Sequence, residues 1–192
     1  MQEITHELTL YQWKIIGLAE VRCTGFGETT TDEGHNIWYC GEDWKHQYGV
    51  AFIVRKEVVG SIIGCTPISS RLIFIGISVR PNITVIQVYA PTSDHENEEV
   101  GQFYEQLDSV TAKTPKKDTL VVQVGPDAYQ RWAGTVGRFG IGETNDRGWR
   151  LLEFAKSHRF TPANTFHTHK LSRTAIWHAL YEEVHSQIVF IN

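Results

Sequence analysis

Lys14-Ile15-Ile16-Gly17-Leu18-Ala19-Glu20-Val21-Arg22 is an apolar run that ends on a carboxylate and an arginine. Two β-branched residues head the run, which reads as a buried strand, and Glu20 falls where that strand meets water. A later run, Thr84-Val85-Ile86-Gln87-Val88-Tyr89, passes straight into Ala90-Pro91-Thr92, and proline stops the ladder just beyond a tyrosine hydroxyl. A Glu at the mouth of one strand often marks no more than the meeting with solvent. Two strands ending on a Glu and a Tyr are the first sign of a site.

Around these two runs the chain reads as strands in a cluster with helices interleaved. Ile4, Leu8 and Tyr11 recur at helical spacing before a strand over Trp13 to Ala19. A loop is expected from Thr24 to Gly34. Short β-branched-rich runs then follow closely at Asn36 to Cys40, Tyr48 to Arg55, Ser70 to Val79 and Ile83 to Tyr89, with Glu57 to Cys65 a further candidate, which predicts an antiparallel meander. Val100, Phe103, Tyr104, Leu107 and Val110 share one helical face, with Ser93 or Asp94 as its N-cap. Pro115 breaks that helix before the apolar run Thr119 to Val124, and a Gly-rich connection extends to Gly142. A second amphipathic helix carries Trp149, Leu152 and Ala155, with Leu151 and Phe154 beside them; extended pieces are expected at Phe160 to Phe166, Thr174 to His178 and Gln187 to Ile191. The pattern predicts an α/β sandwich with mixed sheets in one domain over 1–192.

Composition excludes several classes. At 192 residues, with 41% hydrophobic and 21% charged residues, the chain is an ordinary globular one rather than disordered or fibrous. Its longest apolar runs fall short of a membrane span, and Met1-Gln2-Glu3-Ile4-Thr5-His6 has neither the basic nor the apolar part of a secretory leader, so an intracellular setting, nuclear or cytoplasmic, is expected. Cys23, Cys40 and Cys65 are odd in number and widely spaced, which fits reduced thiols and speaks against a structural zinc. The net charge of -4 hides an asymmetry: residues 1–112 carry 7 Lys/Arg against 15 Asp/Glu, and residues 113–192 carry 11 against 7. Only the second part offers a phosphate-attracting face, built from residues such as Arg147, Arg150 and Arg173; a plain solvated surface is the competing reading, and pI ≈ 6.1 favours it.

Several segments in order resemble a known family: Ile16 to Arg22, Thr31-Asp32-Glu33-Gly34-His35, Tyr48-Gly49-Val50, Ser69-Ser70-Arg71-Leu72-Ile73, Gln87 to Asp94, Lys116-Lys117-Asp118 with Val121-Val122-Gln123, and Asn145-Asp146-Arg147-Gly148 with Leu151 to Ala155. Together they resemble the endonuclease/exonuclease/phosphatase superfamily, and within it the endonuclease domains of non-LTR retrotransposons and their domesticated branch, the craniofacial development protein 2 family. The resemblance implies a four-layer α/β sandwich, two mixed sheets packed face to face with helices outside, and Mg²⁺-assisted hydrolysis of phosphodiesters in DNA. There the cation neutralises a phosphoryl oxygen and the leaving group while an Asp or His pair activates water. It implies Glu20 as the metal-ligating carboxylate and Tyr89 as the catalytic tyrosine that steadies the scissile phosphate. Arg22 beside Glu20, and Trp177, where the family has a tryptophan near its active-site face, join Arg147, Arg150 and Arg173 as candidate nucleic-acid contacts.

Departures from the family pattern are as informative as the matches. The strand that should continue into Gly-Asp-x-Asn-Ala runs instead from Gln123 into Val124-Gly125-Pro126-Asp127-Ala128-Tyr129, as though that block were deleted. The family's closing Gln-Ile-Asp-Tyr-Ile stands here as Gln187-Ile188-Val189-Phe190-Ile191, and valine neither orients a histidine nor accepts a proton. The family's first strand and its Asp-His pair would lie outside the chain at either end, so the domain is expected to be incomplete and to self-associate through open sheet edges. Mg²⁺ is expected to bind weakly to one carboxylate. Elsewhere, His167-Thr168-His169 has a zinc-compatible spacing but reads better as a polar turn, and Gly137 to Gly142 lacks the Gly-Lys-Ser/Thr of a phosphate loop. The expected function is an endonuclease-like domain impaired in catalysis; the rival is a non-catalytic module that binds nucleic acid or protein.

Overall fold

The computed structural model describes residues 13–80, 82–91, 95–113 and 146–159, together with the backbone of 177–178 and 185–186. These fall into two compact units, divided between residues 113 and 146. In the first, strands β1 (Ile15–Ala19), β2 (Phe26–Thr30), β3 (Asn36–Cys40) and β4 (Val50–Val54) form a sheet of order β1-β4-β3-β2. A 3-10 turn at Val59–Ser61 leads into β5 (Ile62–Ser69), β6 (Leu72–Ile77) and β7 (Ile83–Val88), a second sheet in that order. Every strand pairing among the described residues is antiparallel. Helix α1 (Asn97–Lys113) completes this unit; the second holds α2 (Asp146–Ser157) and the short pair β8 (Trp177–His178) and β9 (His185–Ser186).

β4 is the axis of the first unit. Val50-Ala51-Phe52-Ile53-Val54 has no polar residue to give to solvent, and all five are buried. Alternation along the strand sends Val50, Phe52 and Val54 toward Ile73, Ile75 and Val85 of the other sheet, and Ala51 and Ile53 to the opposite face with Ile37, Trp13, Leu18, Val21 and Tyr39. A strand apolar at every position is what burial on both faces requires. The two sheets are thus packed face to face over a shared core, as expected of an α/β sandwich, but the described pairings within them are antiparallel where mixed sheets were expected, because the strands follow one another through short connections.

α1 lies on the outer side of the second sheet. Val100, Phe103, Tyr104, Leu107 and Val110 are its buried stripe, at helical spacing, and its Gln106, Ser109, Val110 and Lys113 share a crevice with Ile68, Phe74 and Thr84 of β5, β6 and β7. Glu98 and Glu99 in its first turn and Lys113 in its last complement the helix dipole. The helix opens at Asn97, with the Val100 amide donating to the Glu96 carbonyl; the expected caps Ser93 and Asp94 lie outside the described residues. In the second unit α2 buries Leu152, Phe154 and Ala155, and leaves Trp149 half-buried.

One expectation is corrected: the segment after Glu20 is not a loop throughout, because Phe26–Thr30 pairs with β3 as β2. Four of its five side chains are exposed, Phe26 at 73%, so no apolar alternation betrays the strand. The expected elements at Ile4 to Tyr11, Thr119 to Val124, Phe160 to Phe166 and Gln187 to Ile191, and the motifs around Asp127, Gly137 to Gly142 and His167 to His169, lie outside the described residues. No helix among those described is long and apolar enough to cross a membrane. All three cysteines are free thiols, and burial, with Glu28 and Cys40 adding to it, pushes Cys65 up to about 12, which makes it an inert core group.

Candidate functional site at the rim of the sandwich

At one end of the first unit the chain ends of β1, β4, β5, β6 and β7 converge, and backbone hydrogen bonds stitch them across both sheets. Past β1, the Arg22 amide donates to Tyr48 O at 2.8 Å and the Val21 amide to Gly49 O at 3.2 Å. From there the Gly49 amide reaches Ser70 O at 3.0 Å in the β5–β6 turn, and the Tyr89 amide reaches Arg71 O at 2.9 Å. Residues remote in sequence therefore share one rim.

On that rim the Tyr89 hydroxyl donates to Glu20 Oε1 at 2.9 Å, bridging 69 positions of sequence. Arg22 Nη2 stands 3.7 Å from Glu20 Oε2, both side chains more than half exposed. Partial burial first, and then the bond to and the charge of Glu20, raise the Tyr89 phenol above its ordinary pKa, with Arg71 pulling the other way. The phenol thus stays a proton donor at neutral pH.

Behind this pair sits Arg71, 6% exposed and the single buried polar or charged residue among those described. Its Nη2 donates to Glu99 Oε1 at 2.7 Å and its Nη1 to Tyr89 O at 3.3 Å. The guanidinium carbon lies 4.0 Å from the ring centroid of Tyr48 and 5.3 Å from that of Tyr89. Tyr48 is held in turn by His95, with its hydroxyl 3.2 Å from Nε2, and that nitrogen is 3.9 Å from Glu99 Oε1.

Three rim residues adopt left-handed backbone, Glu20 at φ 56°, Arg22 at φ 51° and Tyr48 at φ 56°, followed by Gly49 at φ 95°. For a residue with a Cβ this conformation costs about 1–2 kcal/mol, and such strain gathers where side chains must be aimed. The exposed salt bridge of Arg22 contributes little in return. Arg22→Gly is therefore expected to leave the urea-unfolding free energy unchanged or raise it by up to about 1 kcal/mol; a drop of that size would show that the left-handed turn is not costly here.

Of the residues singled out in the sequence, the structure brings Glu20, Arg22 and Tyr89 together. Arg147 and Arg150 lie on α2 in the second unit, Trp177 is placed by its backbone in β8, and Arg173 lies outside the described residues. Sequence reading missed Tyr48, Arg71, His95 and Glu99 as site residues. The available signals were a lone arginine opening an otherwise apolar run and a His-Glu pair four positions apart.

The described residues of the rim do not by themselves make up the ligand set of a hard divalent cation. Such an ion needs several oxygen ligands, whereas here one carboxylate has an oxygen engaged by Tyr89 and the other facing Arg22. Among the described residues no three His, Cys, Asp or Glu side chains cluster as a metal group.

No protein-family model matches the chain. Craniofacial development protein 2 of Bos taurus is 37% identical over 98% of the chain, and the protein of that name from Tragulus javanicus is also 37% identical over 98%. The chain spans about a third of the length of these relatives, 32% and 33% respectively. The aligned stretch runs through the whole rim, from Glu20 to Tyr89, as well as through the core strands. Over nearly all of its length the chain is thus similar to one part of craniofacial development protein 2.

Proposed function

We propose that the chain is an endonuclease-like domain of the endonuclease/exonuclease/phosphatase type, in which the rim still receives a phosphodiester of nucleic acid while hydrolysis is impaired. The observation that carries this reading is the Tyr89–Glu20 hydrogen bond, made where β1 and β7 end at the meeting of the two sheets. Released from Glu20, the neutral phenol can turn its single hydrogen to a phosphate oxygen, and the exposed Arg22 guanidinium beside it supplies a cation of the geometry phosphates favour. Impairment follows from the sequence: the expected Gly-Asp-x-Asn block is missing after Gln123, where the chain passes straight into Val124-Gly125-Pro126, and Val189 stands at an acidic position of the family pattern. A carboxylate without companions neither holds Mg²⁺ firmly nor activates water by itself.

The excess of acidic residues in 1–112 favours a second reading, a non-catalytic module whose partner is a protein. Binding to a labelled single-stranded oligonucleotide separates the two. Micromolar or weaker affinity that falls steeply with added salt, and that Tyr89→Phe weakens about tenfold, is expected for the first reading. Absence of binding at low salt would leave the protein-binding module.

A further inference from the structure

We infer that Arg71 is the positioning residue of the rim: packed against the adjoining rings of Tyr48 and Tyr89, it fixes the direction in which Tyr89 offers its hydroxyl to a phosphate oxygen. This deepens the phosphodiester reading of the same site and rests on it.

Burying a guanidinium costs several kcal/mol unless its hydrogen bonds are made, and an apolar side chain of like volume often serves stability as well or better. Arg71 is nevertheless buried, and most of its contacts run to the two tyrosines. Its carbonyl accepts from the Tyr89 amide and its Nη1 donates to the Tyr89 carbonyl, so both backbone polar groups of Tyr89 are tied to one residue. The guanidinium also packs against both rings, 4.0 Å from the Tyr48 centroid and 5.3 Å from that of Tyr89, which themselves lie 6.1 Å apart, a three-way contact that a lysine cannot copy because its ammonium has neither the plane nor the fork. Glu99 anchors the other end of the fork, and His95, within 3.9 Å of Glu99, holds the Tyr48 hydroxyl. The Tyr48 ring is thereby kept against the guanidinium. What the cluster secures is orientation: with β7 ended at Val88, Tyr89 has no ladder beyond it to fix its side chain.

Four variants of the full chain test this: Arg71→Leu, Arg71→Lys, Tyr89→Phe and the double variant Arg71→Lys/Tyr89→Phe. Melting temperature, oligonucleotide binding and the ring resonances of Tyr48 and Tyr89 are measured for each. Arg71→Lys keeps the charge and is expected to fold even if Arg71→Leu does not. It should weaken binding about tenfold, shift both sets of ring resonances and leave the Ile73 and Ile75 methyl resonances of the core in place. The double variant should bind no more weakly than the single ones, because both substitutions remove the same aimed hydroxyl. Ring resonances unmoved in Arg71→Lys, or binding losses that multiply in the double variant, would overturn the inference. Ring resonances that shift while neither Arg71→Lys nor Tyr89→Phe alters binding would uphold the positioning role and remove the phosphodiester reading instead.

Discussion

Phe52→Ala is expected to lower the free energy of unfolding by about 3–5 kcal/mol. Phe52 is 1% exposed at the centre of β4, and its ring fills the space between the sheets against Ile73, Ile75 and Val85. Truncation removes the transfer energy of a buried aromatic and leaves a void that neither sheet can close. Both flanking strands, β1 and β3, are hydrogen-bonded to β4 in continuous register and cannot follow it inward. Trp44 is the contrast. It is larger, but at 92% exposure its replacement by alanine should change stability by no more than about 0.5 kcal/mol. Urea unfolding of the two variants reads the difference directly; a loss below about 1 kcal/mol for Phe52→Ala would mean that the sheets do not share a core there.

The second large effect falls on a glycine. A methyl group at Gly41 would run into the carbonyl oxygen of Cys23, whereas one at Gly17 would meet only the side-chain amide of Gln87. Backbone cannot step aside as a side-chain end can, so Gly41→Ala is expected to cost about 3 kcal/mol and Gly17→Ala under about 1 kcal/mol. The Gly41 clash has a further consequence at the rim. Cys23 follows Arg22 directly, and Gly41 heads the connection that brings Tyr48 to it, with Gly41 N–H donating to Gly25 O at 2.7 Å and the Gly25 amide to Glu42 O at 2.9 Å. Pushing the two segments apart should weaken oligonucleotide binding along with stability, and Gly17→Ala should leave binding unchanged. Equal stability losses in the two variants would contradict the distinction between backbone and side-chain clashes.

The fold was legible where burial writes itself into the sequence. Ile15 to Ala19, Val50 to Val54 and the runs around Ile73 and Ile86 are apolar enough to be read as strands, and the stripe from Val100 to Val110 as a helix. β2 was not legible, because a strand that exposes Phe26, Glu28, Thr29 and Thr30 carries no periodic signal. Nor was the sheet order: local spacing suggests neighbours pairing in sequence, whereas β1 pairs with β4 and so places that strand inside the sheet between β1 and β3. Of the candidate site, Glu20 and Tyr89 stand out as polar ends of apolar strands. Arg71 shows only as a lone arginine opening an apolar run, and Tyr48 not at all, since a buried cation packed on two rings and a tyrosine in left-handed backbone are products of tertiary packing.

Nicking of supercoiled plasmid DNA in Mg²⁺ and in Mn²⁺, with the full chain and Glu20→Ala side by side, tests the central claim most directly. The plasmid is expected to be retarded by the chain at low salt and to stay closed with either metal. Metal-dependent nicking that disappears in Glu20→Ala would contradict the claim, because it would show that Glu20 still assembles a working hydrolytic centre.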